Sequence, residues 1–347
     1  MTVNTDLSGT DLNGRLLRVL RGMTGRAGLA FEHDPVPLTG GYWAELLAFS
    51  LVEPPPGWPR ELVIRLMPDS AVARKETIFQ VTVANTGFRT PAVRAFGGPE
   101  DGLGRAFMVM DRAAGAPLMP GLAGPSALAA GLRQAGRMPD ALASVMAGLH
   151  AIDPQPVRDQ LASVADIPIS LGQVLPMLRD WAGRFQRDDL ARAGTWLADH
   201  PRPPQPEVIC HGDVHPFNVL ADGSQLTLLD WSSCLIAPRS YDVAFTTSLL
   251  GEPPLDVPRS LRPSIRRAGR WLASRFLRRY QVHAATSIDR EDLRWHQAVV
   301  SLRALTEVAS WEYGGIIGER AGHPWLACGQ AFAARLTAVT GVPVRPR

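Results

Sequence analysis

Hydrophobic positions change rhythm along the chain. Up to about residue 110 they come in short runs of strand length, and beyond it they recur mostly at helical spacing. Leu12 to Leu29 reads as a short helix followed by a glycine-bearing turn. Val36 to Leu38 and Tyr42 to Val52 are apolar runs on either side of Thr39-Gly40-Gly41, which is a hairpin signal. Glu53 to Trp58, with three successive prolines, is a loop. Glu61 to Leu66 is rich in branched residues and predicts a strand, ended by Pro68-Asp69-Ser70. Ala71 to Asn85 predicts a helix, and Ala92 to Phe96 and Ala106 to Met110 two more strands.

The composition then shifts. Ala113 to Leu132 is rich in Gly, Pro and Ala and reads as a linker into a second lobe. Pro139 to Ile152 places Leu142, Val145, Met146 and Leu149 at the spacing of one buried helix face. Val174 to Ala198 reads as one helical stretch with Trp181, Phe185 and Leu190 as candidate core positions. Val208 to Asp230 breaks the pattern with short strands and tight loops, and Leu261 to Val342 is helical again. No internal repeat is visible. The expectation is an α+β protein with an N-terminal lobe over residues 1–112 and a C-terminal lobe over 113–347.

Composition narrows the partners. The 347 residues, 46% of them hydrophobic, suffice for two lobes with real cores. A net charge of +3 is too small to argue for nucleic acid. Three cysteines, with no CxxC pair, form no disulfide framework and favour a reducing compartment. Met1 to Gly14 lacks the basic-then-apolar order of a signal peptide. The uncharged run Ala113 to Leu132 carries three prolines and four glycines, which speaks against a membrane span. These readings place the protein in the cytoplasm, with no nucleic-acid and no membrane partner. Thirty-five of the 36 basic residues are Arg, and Lys75 is the one lysine. Any chemistry that wants a lysine must use Lys75 or turn to arginine.

One segment carries chemistry: His211-Gly-Asp213-Val-His215-Pro-Phe-Asn218, then two short apolar runs joined by Asp222-Gly223, then Leu229-Asp230-Trp231. Asp-Gly between such runs is a strong hairpin signal. Closing that hairpin brings Asn218 near Asp230. An amide oxygen and a carboxylate there suit a hard divalent ion such as Mg²⁺. Asp213 leaves the preceding strand five residues before Asn218 and can approach an ion-bound phosphate without ligating the ion.

The order Asp, Asn five residues on, and a second Asp after a hairpin matches the kinase arrangement. Its form here, HGDxxxxN followed by LDW, resembles the aminoglycoside phosphotransferase family, and Pro238-Arg-Ser-Tyr-Asp242-Val-Ala-Phe resembles that family's continuation. The resemblance runs from about residue 36 to about residue 310. It implies a bilobal protein-kinase-like fold, with an N-terminal lobe of mainly antiparallel sheet plus one prominent helix and a mainly helical C-terminal lobe. It implies ATP, with GTP left open, as phosphoryl donor, Mg²⁺ as cofactor, and a small-molecule hydroxyl as acceptor. By the same resemblance, Asp213 is the catalytic base and Asn218 and Asp230 hold the metal. Gly40 and Gly41 cover the phosphates, Arg65 stands where the third strand supplies a cation, and Glu76 is its partner. Met110 to Ala113 form the hinge whose backbone reads the base. Arg65 is the departure, because many relatives place Lys there.

Blander readings stand beside these. Gly40-Gly41 alone is an ordinary turn, and Glu76 alone an ordinary solvated helix residue. His211 is read as bracing its loop, His215 as near phosphate or simply packed, and Asp242 as pairing with loop backbone. A non-catalytic nucleotide- or ligand-binding relative is the competing class, and Arg65 is its one support. A metal-dependent hydrolase is weaker, since His211, Asp213 and His215 lack further ligands in any second cluster. Arg259 to Arg279 holds eight arginines and no acid. This is a solvated face or an attraction for anions, and a poor mate for a polycationic acceptor. The acceptor's identity and the oligomeric state are not legible in the sequence.

Overall fold

The computed structural model describes residues 9–38, 44–119, 136–162, 164, 167–254 and 259–347. The chain divides into two compact units, Met1–Ala114 and Gly115–Arg347.

The first unit is a five-stranded antiparallel sheet with two helices. Helix α1 (Gly9–Thr24) precedes strands β1 (Phe31–Pro37), β2 (Glu45–Leu51) and β3 (Glu61–Met67); α2 (Ser70–Asn85), β4 (Val93–Gly97) and β5 (Ala106–Asp111) follow. The strand order is β1-β2-β3-β5-β4. Alternation along β3 decides which face each residue serves. Leu62, Ile64 and Leu66 join Leu12, Leu16 and Leu20 of α1 in one core, whereas Met67 packs with Ala73 of α2, Ala106 and Met108 in another. Arg65 therefore lies on the α2 side. The Asp69 side chain caps α2 by accepting from the N–H groups of Ala71 and Val72, so the helix starts where the turn signal predicts.

The second unit is mostly helical. It runs through β6 (Ala116–Pro117), α3 (Met138–His150), α4 (Gln155–Leu161), α5 (Leu171–Arg184) and α6 (Asp188–Asp199). Strands β7 (Glu207–Cys210), β8 (Val219–Asp222), β9 (Gln225–Leu228) and β10 (Leu235–Pro238) come next, then α7 (Ser240–Gly251), α8 (Arg262–His283), α9 (Arg290–Tyr313) and α10 (Pro324–Thr340). β7 pairs with β10, and β6, β8 and β9 form a second small sheet. The main core joins α5, α6, α7, α9 and α10 around β7 and β10.

Two differences from the sequence reading have clear causes. The single stretch Val174 to Ala198 is two helices, because Gln186 turns left-handed at φ 58°. Phe185 caps α5, Asp188 and Asp189 open α6, and neither Gly nor Pro marks the break. The sequence reading does not include helix α7, because nearly all its residues, polar ones such as Asp242 and Thr246 included, are buried and leave no apolar stripe. Among the described residues, no helix is long and apolar enough to cross a membrane.

Candidate active site

Asp213 sits in the loop that leaves β7, and side chains from four helices hold that loop. Asp242, at the start of α7 and fully buried, accepts from the backbone N–H of His211 at 2.8 Å and of Gly212 at 2.6 Å. Its Oδ2 also lies 3.1 Å from Nε2 of His150, whose Nδ1 lies 2.7 Å from the Tyr280 hydroxyl. From α9, Arg303 donates to the Gly212 carbonyl at 2.8 Å and reaches the Ser233 hydroxyl. Gly212 has φ +74°, and a Cβ there would stand 2.3 Å from the Ser233 carbonyl oxygen, so only glycine fits. The pairing of Asp242 with loop backbone is as the sequence reading has it. His150, Cys210 and Asp242 lie close enough to share a metal ion, but His150 and Asp242 are engaged with each other and Cys210 with β10 carbonyls.

The hairpin closes as expected, with Ala221 opposite Leu226 and Asp222 opposite Gln225. At its base, Leu229 N–H donates to the Asn218 carbonyl at 2.8 Å, and the Leu229 carbonyl lies 2.9 Å from Nε2 of His211. One residue thus ties the Asp213 loop to the strand leading into Asp230. The Asn218 amide nitrogen donates to the Asp213 carbonyl at 3.0 Å and to its Oδ2 at 3.1 Å. That turns the amide oxygen away from Asp213. Asp230 has φ +64°, a strained conformation that, after glycine, Asn and Asp tolerate best.

The charges around Asp213 are mixed. Nδ1 of His215 accepts from Phe217 N–H, so its Nε2 carries the proton and lies 3.5 Å from the Asp213 carboxylate. Burial disfavours charge on His215, but Asp213 and Asp230 outweigh it and raise its pKa. Burial lowers the pKa of His211, which stays neutral. Burial also raises that of Glu307 on α9, with Arg303 opposing and Asp213 adding to the rise. His323, the cap of α10, is pushed down to about 4 by burial, against the pull of Asp213.

In the first unit, Nε of Arg65 pairs with Oε1 of Glu76 at 3.0 Å, both side chains being almost fully buried. Arg65 faces Leu46 on β2 and Met108 on β5. Met110 lies on β5 opposite Val63, and its sulfur accepts from Gln80. Ala113 follows β5 in irregular chain, half-buried. Lys75 is on α2, half-buried and next to Glu76 in sequence. Gly40 and Gly41 lie outside the described residues.

The structure thus brings together Asp213, Asn218 and the strand leading to Asp230, and separately Arg65 with Glu76. Sequence reasoning missed Arg303, Tyr280 and His323. Each is more than 60 residues from Asp213, and no local motif marks any of them.

The sequence profile of the phosphotransferase enzyme family (APH) matches residues 49–277. No curated protein sequence matches the chain. Among solved structures, a Ralstonia eutropha protein provisionally assigned as an aminoglycoside phosphotransferase superposes with a TM-score of 0.63 at 15% identity, over 94% of this chain and 98% of its own. A thermostable mutant of the aminoglycoside phosphotransferase APH(4)-Ia, in a ternary complex with ADP and hygromycin B, gives 0.57 at 17% identity over 94% and 97%. Macrolide 2'-phosphotransferase type I gives 0.55 at 16% identity over 99% of both chains. These superpositions establish the kinase-like α+β fold. Since the profile spans about two-thirds of its length, the chain belongs to the phosphotransferase enzyme family.

Proposed function

We propose that this protein transfers the γ-phosphoryl group of ATP to a hydroxyl of a small molecule, with Mg²⁺ as cofactor. The observation that carries the reading is the Asp213 loop. A carboxylate, an amide oxygen freed by its own hydrogen bonds and a strained aspartate are held at one hairpin base by buried partners. Asp213 is the group that orients or deprotonates the acceptor hydroxyl. Asn218 and Asp230 offer an oxygen donor set that would hold Mg²⁺, whose charge would offset that of the phosphates. Arg65, held by Glu76, is the phosphate-binding cation of the first unit, and the chain around Met110 and Ala113 reads the base. Little covalent work falls to the protein, so positioning and electrostatics supply most of the acceleration.

Neighbours of this fold include proteins that bind ADP with hygromycin B or that are named for macrolides, which supports a polar, multiply hydroxylated acceptor. The three cysteines are unbridged and buried, in keeping with a cytoplasmic protein. The test is a phosphate-transfer screen with ATP and GTP across a chemically diverse alcohol library. Mg²⁺-dependent transfer to at least one alcohol, lost in Asp213→Asn, is the expected result. Nucleotide binding with no transfer to any alcohol would favour the non-catalytic reading.

A further inference from the structure

The acid-free arginine run of α8 has no task in the proposed reaction, and part of it lines a cleft. Arg275, Arg278, Arg279 and His283 face Arg137 and the first turns of α3 across a cavity of about 640 Å³. The tip of the β8–β9 hairpin closes one side with Ser224. Asp140 is the single acid of the lining, and it is already engaged: Nε2 of His283 lies 2.9 Å away and Nε of Arg279 is closer still. The hydrogen bond from His283, with Arg279 beside it, holds the Asp140 carboxyl below the usual range. Arg137, Arg275 and Arg278 enter no ion pair among the described residues. Arg275 is pinned, donating to the Gly136 carbonyl at 3.1 Å while its guanidinium lies 5.6 Å from the Trp271 ring.

Fixed guanidinium forks with hydroxyls beside them are the chemistry of phosphate recognition. Ser144 supplies a second hydroxyl to the lining. The cavity has the size of a small-molecule site, and the net charge of +3 is too small to recruit a nucleic acid. The cleft is also distinct from the Asp213 loop. Asp140 precedes His150, which braces that loop, by ten residues of α3, a rise of about 15 Å. The hairpin meets the cleft at its tip, whereas Asn218 and Asp230 flank its base.

We propose that this cleft binds a small, multiply charged phosphate compound, either a polyphosphate or a phosphate monoester. The test is calorimetric titration of the full-length protein at low salt, with the proposed nucleotide site filled beforehand by AMP-PNP. Sodium tripolyphosphate is the first probe and glycerol 3-phosphate the second, and the tighter of the two names the source. One-site binding is expected, weakened at least tenfold by Arg275→Glu with Arg278→Glu. Arg278→Gln alone, at an exposed position, gives a smaller loss in a variant that keeps its fold. Arg270→Glu, exposed on the same helix but outside the cleft, changes affinity less than twofold. Binding that ignores the cleft variants overturns the proposal. So does an equal loss in Arg270→Glu, or tighter binding of an RNA hairpin than of either probe.

Discussion

At Asp213 the decisive contact is local. The Asn218 amide nitrogen holds both the backbone and side-chain oxygens of Asp213. A general base, the role proposed for Asp213, contributes roughly 10²- to 10⁴-fold to rate. Asp213→Asn should therefore lower kcat by about 10³-fold while ATP binding, read by calorimetry, stays within a few-fold. Near-normal turnover in the purified variant would remove Asp213 from the mechanism. Arg65 poses a different question, because it is buried and is the cation proposed to bind phosphate. Losing a hydrogen bond to a charged group costs about 1.5–3 kcal/mol, so Arg65→Ala should raise the KM for ATP about tenfold or more. It also removes the buried ion-pair partner of Glu76 and lowers stability by about 3 kcal/mol. Lys75→Ala, on the same helix as Glu76 but half-buried, should change KM less than twofold. The reverse pattern would mean that Lys75 supplies the phosphate cation.

Among the elements, the β8–β9 hairpin was readable because its turn, its apolar runs and both flanking ligand candidates fall within thirteen residues. The Arg65 strand was readable for the same reason: its run of branched residues and the Pro68-Asp69-Ser70 stop are local signals. The bracing of the loop was not. His150, Tyr280 and Arg303 come from α3, α8 and α9, and only the packing of those helices brings them to the Asp213 loop. Helix α10 shows a similar hidden dependence. Its cap is Nδ1 of His323, which accepts from Trp325 N–H at 3.2 Å. Accepting requires the neutral ring, and burial holds the pKa at about 4, below the 6.5 of a free imidazole. Between those values the unfolded chain binds a proton there that the folded chain does not, so stability falls as pH drops from 6.5 towards 4. His323→Asn keeps a capping oxygen without the titration. Urea midpoints at pH 7 and pH 4.5 should differ less in that variant than in the parent. An unchanged difference would place the acid sensitivity elsewhere.

Across the whole C-terminal unit, the chain end is tied to its middle by one buried ion pair. Arg187 and Asp189 form a two-point contact at 2.9 and 3.0 Å, with both side chains nearly buried. The same groups then hold the tail: Arg187 donates to the Arg345 carbonyl at 2.7 Å, and Arg345 N–H donates to Asp189 at 2.9 Å. Burial alone would raise the Asp189 pKa, but Arg187 and the Arg345 N–H bring it down to about 2. Its contribution is thus present above about 3.8 and lost as pH falls towards 2. Asp189→Leu leaves Arg187 charged and uncompensated, which costs about 3–5 kcal/mol and lowers Tm by about 10 °C in a unit of this size. Arg187→Leu with Asp189→Leu removes both charges and keeps apolar volume, so it should recover most of that loss. What it does not recover is the pair of bonds to the Arg345 backbone, which need these side chains. Hydrogen exchange at Arg345 should stay fast in the double variant while global stability returns. Slow exchange there would show that Val342 and Val344, packed against the main core, hold the tail without the pair.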